Sequence, residues 1–216
     1  MKIKLIVFDF DGTLIDTRED LAAAMNYALK KCGLTPVSTE TVWKYTGDGT
    51  PPLVQRILRD KKHPELFEQV KNLFLEYYDA HFADFAKPLP NAKDTIAHLY
   101  EKGKKMAVLS NKYERFVKKL LKEFDMDRFF FAVYGKDSFK KSKPDPYPLF
   151  KIMETANSSA NETAFVGDSK NDALISKNAG VECFIIPSGV NPEEELKSLY
   201  KCKILNNISE LEKYVE

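Results

Sequence analysis

Ile3-Lys4-Leu5-Ile6-Val7-Phe8-Asp9-Phe10-Asp11-Gly12-Thr13 decides how the rest of the chain is read. Residues 3 to 8 are β-branched and apolar enough for a strand buried on both faces, as in a parallel sheet. The run stops at an Asp-Phe-Asp-Gly turn. Residues i and i+2 of an extended chain point to the same side, so Asp9 and Asp11 can both face a crevice beyond the strand's carboxyl end. Open α/β sheets bind ligands there. One carboxylate can attack phosphorus while its neighbour handles the leaving-group proton, which makes Asp9 the candidate nucleophile and Asp11 the candidate general acid/base. An acidic turn at a strand end fits the same letters, so the motif has to be weighed with others.

After residue 90, short apolar runs alternate with helix-length amphipathic stretches, the rhythm of a parallel sheet. The expected strands are Lys105 to Ser110, Phe129 to Tyr134, Thr163 to Gly167, Glu182 to Ile186 and Lys203 to Leu205. From Asp16 to about Asp84 nothing reads as a strand. Apolar positions recur there at helical spacing: Leu21, Met25, Ala28 and Leu29; Leu53, Ile57 and Leu58; Leu66, Val70, Leu73, Phe74, Tyr77 and Tyr78. The expectation is a Rossmann-like α/β core from residues 1–15 and 85–216, with helices on both faces of a parallel sheet and an inserted helical domain at 16–84. The return to the core falls near Lys87-Pro88-Leu89-Pro90, where prolines end the preceding helix.

Three further clusters carry chemistry. Val166-Gly167-Asp168-Ser169-Lys170-Asn171-Asp172 again joins a strand end to a helix. Asp168 and Asp172 together with Asp9 would build a hard oxygen site of the kind Mg²⁺ prefers. The same residues suit a helix N-cap and a first-turn acid, and both readings can hold. Val108-Leu109-Ser110-Asn111-Lys112 ends a strand in a hydroxyl before a helix start, so Ser110, Asn111 and the backbone N–H groups there are phosphate-binding candidates. In Lys143-Pro144-Asp145-Pro146, the proline restricts Lys143 to extended conformations and fixes its ammonium better than those of Lys136, Lys140 and Lys141.

These clusters, in this order, resemble the haloacid dehalogenase superfamily, whose DxDGT, strand-terminal Ser or Thr, lysine and GDxxxD map onto Asp9 to Thr13, Ser110, Lys143 and Asp168 to Asp172. The resemblance implies magnesium held by the Asp9 carboxylate, the Asp11 backbone carbonyl and Asp168, with Asp172 in support. It further implies a phosphoryl group held by Ser110 and Lys143, and a helical insertion that acts as a substrate-selecting cap. Thr46-Gly47-Asp48-Gly49-Thr50 with Arg56, and the KPxPxPL run at Lys143 to Leu149, are similar to the phosphoglycolate phosphatase branch. Arg56 is the candidate for recognising a substrate carboxylate, against the alternative of an ordinary helix arginine. Departures are Gly135-Lys136 where paired glycines are usual, and Ile175 where small residues are expected.

The function this implies is hydrolysis of a small phosphorylated metabolite through an aspartyl phosphate. A dehalogenase attacks carbon and needs no second acid, so Asp11 argues against it. A phosphosugar mutase of the β-phosphoglucomutase kind shares the core and stays open. A phospho-aspartate signalling switch would place its acceptor at the end of a middle strand, a position this reading gives to Ser110. With 33 basic against 32 acidic residues, no global field favours nucleic acid or an anionic membrane. No stretch approaches the roughly 20 apolar residues of a membrane span. Cys32, Cys183 and Cys202 lack metal-ligand spacing and read as reduced thiols of a cytoplasmic protein. His63, His81 and His98 stand singly, and Trp43 with Phe74, Tyr77, Tyr78 and Phe82 reads as core of the helical insertion.

Overall fold

Every residue of β1 (Leu5–Phe8) is buried, because the strand has a parallel neighbour on each side and no edge to show to water. This is a computed structural model that describes residues 3–215. After β1 the chain forms β2 (Ile15–Asp16), α1 (Arg18–Lys31), α2 (Thr39–Lys44), α3 (Thr50–Asp60), α4 (Phe67–Ala80) and β3 (Lys87–Pro88). It continues with α5 (Ala92–Glu101), β4 (Lys105–Leu109), α6 (Glu114–Glu123), β5 (Ala132–Tyr134) and α7 (Tyr147–Ala156). The last elements are β6 (Thr163–Gly167), α8 (Lys170–Ala179), β7 (Glu182–Ile185), α9 (Glu193–Leu199), β8 (Lys203–Ile204) and α10 (Glu212–Val215).

Six strands make one sheet in the order β5-β4-β1-β6-β7-β8, all parallel. Taken in chain order, this is the doubly wound 3-2-1-4-5-6 arrangement, so the direction of winding reverses between β1 and β6. Leu5 lies opposite both Lys105 and Thr163, which brings the carboxyl ends of β1, β4 and β6 side by side. Alternation sorts the side chains: Leu5, Val7, Ala107, Leu109 and Phe165 pack under Leu149, Ile152 and Met153 of α7 and Ile175 of α8. On the opposite face Phe8 meets Phe130 and Phe184 meets Tyr214 of α10. Ile175 is therefore a full member of the core.

The chain divides into two compact units, Met1–Asp16 with Pro88–Glu216, and Thr17–Lys87. In the second, α1 packs on α2 and α4, and α3 packs on α4. Their buried stripes include Leu21, Met25, Ala28 and Leu29 of α1, Leu53, Ile57 and Leu58 of α3, and Val70, Phe74 and Tyr78 of α4; Trp43 is also buried. Leu66, Leu73, Tyr77 and Phe82 are only partly covered, with Tyr77 stacked between Tyr27 and His81. Buried Asp20 accepts the Phe85 N–H at 3.0 Å, pinning the end of this unit to its first helix.

Three expectations are corrected. The strand expected from Phe129 begins at Ala132, because Asp127–Phe129 close a 3₁₀ turn and Phe129 packs edge-on against Tyr100. Cys183 and Cys202 are joined in a disulfide, since pairing of β7 with the two-residue β8 brings them together; only Cys32 is a free thiol. Cysteine chemistry thus lends no support to a reducing compartment. The two central strands are β1 and β6, not β4, so strand position does not separate Asp9 from the acceptor of a signalling switch. Among the described residues no helix is long and apolar enough to cross a membrane.

Candidate active site

Asp9 is the first residue past β1, and its N–H still donates to the Val166 carbonyl at 2.8 Å, so it inherits the rigidity of the sheet. The chain then doubles back, with the Phe10 carbonyl accepting from the N–H groups of Leu14 and Ile15 at 2.9 and 3.1 Å. Asp11 sits in that turn, half-buried, with its carboxylate astride the Lys112 ammonium at 3.1 and 3.2 Å. Ser110 and Asn111, both buried, follow β4. Ser110 Oγ accepts the Lys112 N–H at 3.2 Å, and Asn111 Nδ2 donates to the Lys143 carbonyl at 3.1 Å. Asn111 thereby braces the lysine loop.

Lys143 is the one fully enclosed lysine of its loop; Lys140 and Lys141 are exposed and Lys136 partly so. The Lys143–Pro144 peptide is cis. Lys143 Nζ lies 2.7 Å from Asp9 Oδ1 and 2.7 Å from Asp172 Oδ1, over the Phe165 ring. These two carboxylates hold the ammonium charged and raise its pKa against the opposing effect of burial. The other oxygen of Asp172 accepts from the N–H groups of Asp168 and Ser169 at 3.1 and 3.0 Å and from Ser169 Oγ at 2.7 Å. Asp172 is therefore both the helix-start acid and a member of the site. Gly167 makes room for it, since a Cβ there would lie 2.2 Å from the Asp172 carboxyl carbon.

Asp168 accepts a hydrogen bond from Ser188 Oγ, a residue of the loop after β7 that no motif in the sequence singles out. One ligand oxygen from each of Asp9, Asp168 and Asp172 falls within 4.8 Å of the others, and all three residues are buried. Burial and repulsion by Asp172 push the Asp9 carboxyl up to about 7, against Lys143 and the Phe10 N–H, which pull it down. Burial, then repulsion by Asp172 and Asp9, raises Asp168 well above the usual carboxylate range. Three buried carboxylates around one ammonium leave excess negative charge on oxygen donors, and that donor set fits a hard divalent cation such as Mg²⁺.

The structure thus brings together Asp9, Asp168, Asp172 and Lys143, with Asp11, Ser110 and Asn111 on the adjoining strand ends and with Lys112, to which the sequence assigned no role. Arg56 belongs to the helical unit, where its guanidinium is held by the Asp48 carboxylate and, at 3.1 Å, by the Tyr45 carbonyl. His63, His81 and His98 pair with Glu65, Asp84 and Glu212.

Residues 6–186 match the model of the haloacid dehalogenase-like hydrolases. The chain is 36% identical over 215 residues to the phosphoglycolate phosphatase of Vibrio parahaemolyticus, covering 97% of this chain and 94% of that one. It is 38% identical over 200 residues to that of Vibrio cholerae, covering 90% and 88%. A crystal structure described as a predicted phosphoglycolate phosphatase from Haemophilus somnus superposes with a TM-score of 0.92 at 28% identity, over 100% of this chain and 99% of that one. The chain belongs to the haloacid dehalogenase-like hydrolase family and is a phosphatase within it.

Proposed function

We propose that the protein is a magnesium-dependent phosphomonoesterase that acts on small phosphorylated acids of the 2-phosphoglycolate kind through an aspartyl phosphate on Asp9. The observation that carries the reading is the meeting of Asp9, Asp168, Asp172 and Lys143 where the sheet's winding reverses, the place where doubly wound folds bind ligands. The names borne by relatives at 36% and 38% identity support the substrate class.

Asp9, Asp168 and the Asp11 carbonyl would hold the cation, with Asp172 orienting Asp168 and Lys143. The bound ion would supply positive charge to offset the phosphate and to keep Asp9 ionised at neutral pH. An Asp9 carboxylate oxygen attacks phosphorus in line, and the bond from phosphorus to the ester oxygen breaks. Asp11 gives its proton to the departing alkoxide. The Asp11 carboxylate then takes a proton from water, and the resulting hydroxide attacks the same phosphorus. Phosphate leaves, Asp9 is regenerated, and Asp11 holds a proton again. Lys143 and the Ser110 hydroxyl steady the phosphoryl oxygens, where pre-organised charge acts most strongly because water is excluded.

The test is phosphate release from 2-phosphoglycolate and p-nitrophenyl phosphate by wild type and Asp9→Asn, each with magnesium and with EDTA. Turnover is expected only from wild type with magnesium, with 2-phosphoglycolate the better substrate by kcat/KM. Activity that survives in a folded Asp9→Asn would remove the nucleophile. Failure on 2-phosphoglycolate alone would remove the substrate class.

A further inference from the structure

We infer that Lys112 is a positioning residue for Asp11, fixing by a two-point ion pair the carboxyl group that serves as acid and base. The inference rests on the role given to Asp11 above.

Asp9 continues a strand ladder, whereas Asp11 lies in the turn beyond it, where a single bridge to Ile15 holds its backbone but does not set the direction of its carboxyl group. The Lys112 ammonium engages its side chain, at 3.1 Å from one oxygen and 3.2 Å from the other. Two contacts of nearly equal length turn the carboxyl group toward the ammonium. When one oxygen carries the proton, the other can keep the ammonium, so the same contact serves both halves of the cycle. This is not an exposed ion pair of small effect, because the Lys112 side chain is 6% exposed against 20% for Asp11.

The backbone beneath the ammonium is fixed as well. The Lys112 N–H donates to Ser110 Oγ, and the Lys112 carbonyl accepts the Lys136 N–H at 2.9 Å. Gly135 lies so close that a Cβ there would come within 2.6 Å of that carbonyl and 2.2 Å of the Glu114 nitrogen. The single glycine of Gly135-Lys136 is therefore the one this packing requires. The turn after β5 seats the segment that carries Lys112, and Lys112 seats Asp11.

Leaving-group dependence tests the inference. The glycolate alkoxide must be protonated as it leaves, whereas p-nitrophenolate leaves without help, so loss of a well-placed acid is felt on the first substrate far more than on the second. Lys112→Met should lower kcat/KM for 2-phosphoglycolate on the order of 100-fold and for p-nitrophenyl phosphate by less than about tenfold. Asp11→Asn should discriminate in the same direction, and adding Lys112→Met to it should cost at most about threefold more. Lys112→Arg, which can still engage both oxygens, should recover most of the loss. Thermal unfolding in EDTA gives a readout apart from turnover: Lys112→Met strands a partly buried carboxylate, and the double variant should regain part of the melting temperature it loses.

Equal losses on both substrates by Lys112→Met, or full additivity with Asp11→Asn, would overturn the inference and make Lys112 a phosphate-binding or purely structural residue. An Asp11→Asn that does not discriminate would instead overturn the acid role of Asp11, and the inference with it. The two failures are told apart by which single variant loses the leaving-group effect.

Discussion

The two edges of the sheet each enclose a lysine, and they neutralise it differently. At the carboxyl edge, Lys143 lies between Asp9 and Asp172, in a cluster where buried carboxylates outnumber the ammonium and repel one another. At the amino edge, buried Lys104 donates to the backbone carbonyls of Ile3, at 2.9 Å, and of Val215. Neutral carbonyl dipoles solvate a charge and tie the chain's last helix to the segment leading into its first strand, but they leave no reactive group under strain. Carboxylates of unequal environment leave groups ready to bind a cation, attack, or exchange a proton. Beside Lys104's edge, a cavity of about 380 Å³ is lined by residues such as Tyr200, Lys203 and Tyr214, and there Lys203 already pairs with Glu182 at 2.7 Å. The edge with charge left over is the one whose groups suit the proposed chemistry.

Replacing the two lysines should separate the edges most widely. Lys143→Met removes the fixed positive charge beside the proposed nucleophile and should lower kcat by on the order of 10³-fold with magnesium present. Lys104→Met should leave kcat/KM within about twofold while lowering stability by roughly 1.5–3 kcal/mol, the contribution of hydrogen bonds to a charged donor. Steady-state kinetics and urea titration of both variants check this. A large kinetic defect in a folded Lys104→Met would mean the edges do not act independently.

Reduction of Cys183–Cys202 is the next largest effect. The bond closes a loop of sequence separation 19 beside the amino edge, and its loss should cost about 3 kcal/mol by the loop-entropy argument. Melting curves with and without dithiothreitol should show the drop, with turnover at 25 °C unchanged. A parallel fall in turnover would show that β7 and β8 transmit their state to the loop that carries Ser188.

How much of this could be read from the chain depended on range. Asp9, Asp168 and Asp172 were legible because each lies where an apolar run breaks, and Lys143 because a proline follows it. Those are local signals. The parallel sheet followed from the same runs, and its helices from apolar spacing. Lys112 stood inside a quoted motif and stayed unassigned, because its role exists only once β4 lies beside β1 and the turn of Asp11 comes within reach. Ser188 reaches Asp168 from the loop after the neighbouring strand, with no sequence mark at all. The disulfide was misread for the same reason: β8 is two residues long, and Cys202 meets Cys183 only through its register. Asn111 also braces the Lys143 backbone, a contact that residue type alone does not tell.

The smallest predicted effect tests whether the carboxyl edge is poised as its charges suggest. In metal-free protein the Asp9 carboxyl is pushed up to about 7 from an ordinary value of 3.8. Between those pH values the folded state keeps a proton that the unfolded state gives up, so this group makes the protein less stable as pH rises, and the penalty is complete above about 7. Asn has no proton to lose. Removing the Asp9 charge also relieves Asp168, whose carboxyl is raised partly by it, and so acts in the same direction. Lys143 does not offset the trend, since its raised pKa keeps it charged throughout this window. In EDTA, Asp9→Asn should therefore melt at the same temperature as wild type near pH 4 and a few degrees higher at pH 8. Saturating magnesium at pH 8 should close or reverse the gap, because a cation bound only by the folded state stabilises wild type and finds a weaker site in the variant. A gap that ignores pH would mean that Asp9 is not the strained carboxylate of the cluster, and a gap that ignores magnesium would mean that its charge is not what the cation relieves.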